Sequence, residues 1–375
     1  MALAFVPKPI AALPWRMLWI VIAIAACGLL GLYSTAPGGD GGLMPYALPH
    51  AARFAIFLAM AITMSYLKPE RYSEYVFVAY LGVILLLFLV MAIGQVRGGA
   101  RSWLDLGLIR IQPSELMKPV LVLVLARFYA AVPPREIRRW SAIWPAALLV
   151  GFPTLLILLQ PDLGTAMLIA LATIVMMFLA GLPLRLFVGG ALAVAAVMPI
   201  VYNFLLMPHQ QERVLIFLNP DQDPLGAGYH LTQSKIAIGS GGIFGKGFLN
   251  GTQASGDFLP EPHTDFIFAA WAEEFGLLGG LFLILLFVLL VRWGMKVADR
   301  ARTRFERLAA AGMTATIFFY AAINLLMVMG LAPVVGIPLP LVSYGGSAML
   351  TVMICLGVLM SIDRASRRDE GRGGA

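Results

Sequence analysis

The sequence predicts an all-α polytopic membrane protein of ten transmembrane helices with one large extracytoplasmic loop. Three observations lead there. Of 375 residues, 60% are hydrophobic and only 13% are charged, about half the ~25% charged share of a soluble domain. The apolar residues fall into runs of about 20, the length of a membrane-crossing helix, without the alternation of an outer-membrane barrel. Basic residues gather at alternate connections. This composition excludes a soluble globular enzyme and a disordered chain. The two cysteines, Cys27 and Cys355, each lie inside an apolar run, which excludes a disulfide scaffold.

The first span, 16–35, follows Lys8 and Arg16. Its Ile24-Ala25-Ala26-Cys27 stretch resembles a lipoprotein cleavage box, but the apolar run continues through Leu32 and reads as an uncleaved helix. Spans two and three, 43–66 and 74–95, are separated by Lys68 and Arg71. Span four, 112–130, opens on Gln112-Pro113-Ser114-Glu115, and span five covers 142–160. Gln160-Pro161-Asp162 makes a tight junction into span six, 162–182, and Gly181-Leu182-Pro183 another into span seven, 185–206. Pro113 and Pro161 suit the first position of a helix. Spans eight to ten are 265–291, 308–331 and 343–362. The chain forms a single integral membrane domain, and 363–375 reads as a basic, solvated tail.

Charge orients the bundle. With the N-terminus inside, 19 of the 27 basic residues fall in inner segments and 6 in outer ones. The bias places both termini in the cytoplasm. The net charge of +7 is therefore a matter of membrane topology, with no implication of nucleic acid.

The outer segment 207–264 is the sizeable non-membrane part. Asp221-Gln222-Asp223-Pro224-Leu225-Gly226 carries turn chemistry, and residues 211–218 could lie along the interface. Residues 239–247 are glycine-dense around Lys246. Their spacing fails the P-loop pattern. They read either as a flexible connector or as backbone amides open to a phosphate.

Even-numbered spans begin at the outer face, so their positive dipole ends gather there. The polar motifs gather there too: Arg53 early in span two, Glu115 and Lys118 in span four, Asp162 at span six, His263-Thr264-Asp265 at span eight, and Ser343-Tyr344-Gly345-Gly346-Ser347 at span ten. Together these would make an anion site at headgroup level. A cation within a span costs at least ~2.5–3.5 kcal/mol, so Arg53 and Lys118 point to a polar cavity. Lys118 could pair with Glu115 one turn away. Asp162 could bind a cation, pair with Arg53 or Lys118, or cap span six. Asp265 reads either as a first-turn carboxylate behind a Thr264 cap or as a general base. Glu273 and Glu274 lie deeper, and at least one should face the interior and pair. The four histidines, His50, His209, His230 and His263, have no metal-ligand spacing. The aspartates could hold Mg²⁺ with phosphate oxygens.

At these residues the sequence resembles the SEDS family (shape, elongation, division and sporulation). The resemblance runs in order from Gly98-Gly99-Ala100-Arg101-Ser102-Trp103 through Gln112-Pro113-Ser114-Glu115, Gln160-Pro161-Asp162, Gln233-Ser234-Lys235, Gly245-Lys246-Gly247, Pro262-His263-Thr264-Asp265-Phe266-Ile267-Phe268 and Ala272-Glu273-Glu274 to Ser343–Ser347. The His263–Phe268 run favours the elongation branch over the division branch. The resemblance implies a ten-span fold and a peptidoglycan glycosyltransferase that polymerises lipid II. It implies Asp265 as the catalytic carboxylate. Arg53, Lys118, Glu115, Asp162, Arg101, Lys246, Ser343, Gly345, Gly346 and Ser347 would bind the substrate and its diphosphate, supported by Gln112, Gln160, His263, Thr264 and Glu273. It also implies a bacterial cytoplasmic membrane location, a class B penicillin-binding protein as partner within the elongation machinery, and no certain cofactor beyond a possible Mg²⁺ or Mn²⁺. A lipid II flippase and a non-enzymatic scaffold for the penicillin-binding protein are the competing readings. The inner halves of the spans are apolar, which disfavours the flippase.

Overall fold

The computed structural model describes residues 13–36, 41–97, 100–105, 110–205, 211, 215, 227–256, 258–259 and 261–370. Most of the expected interfacial segment 211–218, and the Asp221/Asp223 pair, lie outside them. All ten expected spans are helices: α1 Trp15–Ser34, α2 Ala47–Met64, α3 Pro69–Ile93, α4 Pro113–Ala131, α5 Trp140–Leu158, α6 Leu163–Ala180, α7 Leu184–Ile200, α10 Ile267–Arg300, α11 Arg304–Val328 and α12 Gly346–Glu370. Among the described residues, nine are long and apolar enough to cross a membrane. The tenth, α4, carries Glu115, Lys118 and Arg127 within its 19 residues. Those charges lower its hydropathy; Glu115 and Lys118 are buried in the interior, and Arg127 is exposed. Cys27 and Cys355 are buried free thiols.

Helix α11 is the centre of the bundle, packing on α10, α6, α4 and α12, while α12 packs on α2. Its start is set by sequence: Thr303 accepts from the Glu306 amide at 3.1 Å, and Glu306 accepts in return from the Thr303 amide. That is a capping box. By contrast α7 buries no residue, and its apolar side chains face outward.

Four features differ from the sequence reading. The connection before α4 is a three-stranded antiparallel meander, β1 Gln95–Arg97, β2 Ala100–Asp105 and β3 Arg110–Ile111, with Gln95 opposite Trp103 and Leu104 opposite Ile111. Pro161 precedes the α6 cap rather than opening the helix, because the cap is Asp162. Residues 363–370 continue α12 instead of forming a solvated tail. Asp363 and Arg364 are buried, Arg364 stacks 4.0 Å from the Tyr66 ring centroid, and Arg367 pairs with Asp363 at 2.8 Å.

The fourth difference is the outer segment. It contains α8 Ala227–Ser240 and the short α9 Thr252–Ser255, and its glycine-dense part is neither a free connector nor a phosphate cradle. Helix α10 is broken at Gly276, whose φ of 66° and ψ of −165° are non-helical. In an unbroken helix the carbonyls of Glu273 and Glu274 would accept from the amides of Leu277 and Leu278. Here the loop takes both partners. Lys246 and Gly247 amides donate to Glu273 and Glu274 carbonyls, each at 3.0 Å. Leu277 and Leu278 amides donate to Gly242 and Ile243 carbonyls at 2.9 and 3.2 Å. Two helical bonds are replaced by four, so these two carbonyls and two amides keep partners at the break. Glycine is required for this approach. A Cβ on Gly245, which has φ +81°, would lie 2.0 Å from the Glu274 carbonyl oxygen.

A candidate active site at four helix N-termini

The starts of α4, α6, α10 and α12 converge on one cavity of about 210 Å³. From α4 come Gln112, Glu115 and Lys118; from the α6 start come Asp162, Gly164 and Thr165; ahead of α10 come Thr264 and Asp265; from the α12 start come Tyr344, Gly345 and Ser347. Trp103 of β2 and Tyr320 of α11 complete it, with the 336–338 loop. Four positive dipole ends around one polar space favour an anion.

Lys118 is 3% exposed and Glu115 6%. The Lys118 ammonium donates to Glu115 Oε1 and to the Tyr320 hydroxyl, and Tyr320 donates to Glu115 Oε2. Thr351 Oγ1 also donates to Glu115 Oε2, at 3.1 Å. Among the described residues two of the three ammonium donors are thus engaged, which leaves the third for a ligand. Removing one partner of such a buried pair costs ~3–5 kcal/mol.

Asp162 takes the capping role among its three expected ones. Oδ1 accepts from the Thr165 amide at 3.1 Å, and Oδ2 from Gln112 Nε2 at 2.8 Å and Ser114 Oγ at 3.3 Å. Its partners are these and neither Arg53 nor Lys118. It ties the starts of α4 and α6 together.

Asp265 is not a first-turn residue. The α10 cap is Phe266, without a side-chain cap bond. Thr264 Oγ1 donates instead to Glu261, at 3.3 Å to the carbonyl and 3.2 Å to Oε2. Asp265 lies between, with its carboxylate on the cavity. Asn324 Nδ2 holds its backbone, donating to the carbonyls of Asp265 at 2.9 Å and Ile337 at 2.7 Å.

Arg53 lies one side chain behind the cavity wall. Its Nη2 donates to the Tyr344 hydroxyl at 3.3 Å, and its guanidinium carbon is 4.8 Å from the Tyr344 ring centroid. Gly346 packs beside it, where a Cβ would stand 3.5 Å from Arg53 Cδ. Tyr344 edges onto Tyr46, which stacks on His263 at 4.0 Å. Burial lowers the His263 imidazole below its usual 6.5, against a smaller upward pull from Glu261. A depressed base contributes stability as its neutral form, present above pH 6.5 and lost as pH falls through the folded value. We therefore expect the His263 ring to stay neutral at pH 6.5 in an NMR titration. A midpoint at or above 6.5 would contradict the buried stack.

The remaining expected residues lie elsewhere. Lys246 is bound to Glu273 Oε1 at 2.5 Å and to Thr252 Oγ1 at 2.8 Å. Glu273, fully buried, also accepts from the Thr252 amide and hydroxyl, both at 2.9 Å, and from the Gln253 amide. This pair fastens the outer segment to α10 and leaves Lys246 away from the cavity. Ser343 Oγ accepts from the Leu339 amide at 2.7 Å. Gln160 Nε2 donates to the Leu87 carbonyl at 3.1 Å. Arg101 sits on β2, but its side chain is outside the described residues. Among the described residues no group of three His, Cys, Asp or Glu side chains is disposed to hold a metal.

Tyr320 and Trp103 were absent from the sequence reading of the site. Tyr320 is one of three hydroxyl-bearing residues in its apolar run, with Thr314 and Thr316, and its one signal is that a buried lysine needs a partner.

The comparisons agree with this architecture. The family model described as "Cell cycle protein", covering FtsW, RodA and SpoVE, matches residues 15–368. The chain is 45% identical to the peptidoglycan glycosyltransferase MrdB of Escherichia coli (strain K12), over 92% of each chain. It is 31% identical to the peptidoglycan glycosyltransferase RodA of Treponema pallidum (strain Nichols), over 93% of this chain and 97% of that one. Among solved structures it matches the rod shape determining protein RodA of Thermus thermophilus with TM-score 0.70 and 30% identity, over 94% of this chain and 97% of that one. A chain from work on structural coordination of polymerization and crosslinking by a peptidoglycan synthase complex matches with TM-score 0.81 and 32% identity, over 95% and 99%.

Proposed function

This chain belongs to the SEDS family of FtsW, RodA and SpoVE cell cycle proteins, and from that premise we propose how its cavity works. The chain is a multi-pass membrane protein and a peptidoglycan glycosyltransferase acting in cell elongation. Its substrate is lipid II, and the cavity faces outward with both termini in the cytoplasm. One observation carries the reading: a carboxylate, Asp265, and a buried ammonium, Lys118, share a cavity ringed by four helix N-termini.

The reaction needs a base and a site for a departing diphosphate. Asp265 takes the proton from the acceptor GlcNAc 4-hydroxyl as its oxygen attacks the donor MurNAc anomeric carbon. The new C–O bond forms as the anomeric carbon–phosphate bond breaks. The electron pair leaves with the polyprenyl diphosphate, and the configuration inverts from α to β. Lys118, the helix N-termini and Arg53 behind Tyr344 stabilise that leaving charge. Glu115 and Tyr320 aim Lys118, and Asp162 holds the starts of α4 and α6 in register. A single carboxylate suffices because a diphosphate leaves without the second acid a glycosidase requires. A divalent cation, Mg²⁺ or Mn²⁺, would have Asp162 or Asp265 and the substrate phosphates as ligands. A class B penicillin-binding protein would cross-link the product, the arrangement that the relative's polymerization-and-crosslinking complex supports.

The test is glycan polymerisation from labelled lipid II by the purified chain, with and without a class B penicillin-binding protein. Long glycan is expected. Vesicle translocation of lipid II without polymer would replace the reading with a flippase. Lys118→Met is expected to lower the polymerisation rate ~100-fold and, by stranding Glu115, the thermal midpoint as well. Adding Glu115→Gln should restore the midpoint while the rate stays low. Recovery of both would reduce Lys118 to a structural ion.

A further inference from the structure

A second cavity, of about 540 Å³, lies at the opposite ends of α4 and α6, where α11 begins. Arg135, Arg138 and Arg304 line it together with Ala180 and Gly181. We propose that it binds the phosphodiester headgroup of an anionic phospholipid.

The arginines are disposed for this. Arg304 is fixed by two carbonyls at helix ends, with Nη1 donating to Val132 at 2.7 Å and Nη2 to Ala180 at 3.2 Å. A guanidinium carries five N–H donors, so Arg304 is positioned by two and keeps three. Arg135 and Arg138 are exposed. In the connection that carries them, Glu136 pairs with Arg139 at 3.2 Å. That leaves Arg135 and Arg138 with no carboxylate partner among the described residues. Three planar cations around one space of this size match a phosphodiester, which guanidinium groups bind in a bidentate way. The volume falls within the ~300–1,000 Å³ of small-ligand sites.

Depth decides for a lipid over a soluble anion. Trp140, directly after Arg139, is 72% exposed, and Trp144 one turn on is 50% exposed. Exposed indoles at one end of a span mark headgroup level. Phe178, Leu179 and Leu184, on either side of Gly181, are exposed and apolar, a surface for acyl chains beside the headgroup. The charge bias places this end at the inner leaflet, but the site does not depend on that orientation.

Native mass spectrometry of the full chain, titrated with phosphatidylglycerol or phosphatidylcholine, tests the proposal. Phosphatidylglycerol should bind about tenfold more tightly than phosphatidylcholine. The double variant Arg135→Gln/Arg138→Gln should lose that preference while keeping its thermal midpoint, because both side chains are exposed. Equal binding of the two lipids by the wild type would overturn the site, as would an unchanged preference in the double variant. Displacement of the lipid by millimolar inorganic phosphate would overturn the lipid assignment in favour of a soluble anion.

Discussion

Asp265→Asn is expected to abolish glycan polymerisation and leave the fold intact. The two side chains have the same shape, but an amide does not take a proton at neutral pH. General-base assistance is worth ~10²–10⁴-fold in rate, so residual activity should be ~1% or less. The backbone support around Asp265 survives the change. Asn324 bonds its backbone carbonyl, not its carboxylate, and α10 is not capped by it. The thermal midpoint should therefore match wild type, and size-exclusion elution should be unaltered. An active Asp265→Asn would discard this base and leave Glu115 and Asp162. Both are less able to serve, since Glu115 is held by Lys118, Tyr320 and Thr351, and Asp162 caps α6. Loss of activity with loss of fold would refer the effect to structure, and the matched midpoint separates the two.

Gly245→Val is expected to give the largest loss of stability. The new Cβ would meet the Glu274 carbonyl oxygen at 2.0 Å, at a backbone φ of +81°. A β-branched residue is strained there by ~1–2 kcal/mol. Overpacking adds ~1–3 kcal/mol. Displacing the loop also strands the Lys246 and Gly247 amides and the two carbonyls they bind, at ~1–3 kcal/mol for each buried group left unpaired. The thermal midpoint in detergent should fall by many degrees or the protein fail to accumulate. Gly239→Ala is the control. Gly239 lies within α8, and a Cβ there meets nothing within 4 Å, so it should gain ~0.5–1 kcal/mol. Equal tolerance of both variants would mean that the loop does not support the break in α10.

The helices were legible because each is an apolar run near the bilayer length, and alternation of direction then placed Arg53, Glu115, Lys118, Asp162 and Asp265 at one end. Even α4 was found despite its low hydropathy, because Glu115 and Lys118 sit at the start of the run and an unbroken apolar stretch, 119–126, follows them. What was not legible depends on partners far along the chain. Glu273-Glu274-Phe275-Gly276-Leu277 reads as helix, and only residues 242–247 reveal the break. Lys246 beside glycines has the composition of a phosphate loop, but its amide and ammonium are both committed to Glu273. The β1–β3 meander is too short to show period two against flanking spans. Tyr320 has no spacing signature at all. The residue types of the site were thus readable, while which of them reach the cavity required the fold.

The break at Gly276 also ties the outer segment to the site. Residues 242–247 are synthesised before 267–300, yet the later segment has local partners for all its amides and carbonyls and can enter the bilayer as one unbroken helix. Docking of the glycine segment then exchanges two bonds within the helix for four across the chain. The bend is therefore held by tertiary contacts. The clasp of residues 242–247 on the break thereby couples the outer segment to the stretch that carries Thr264 and Asp265 to the cavity.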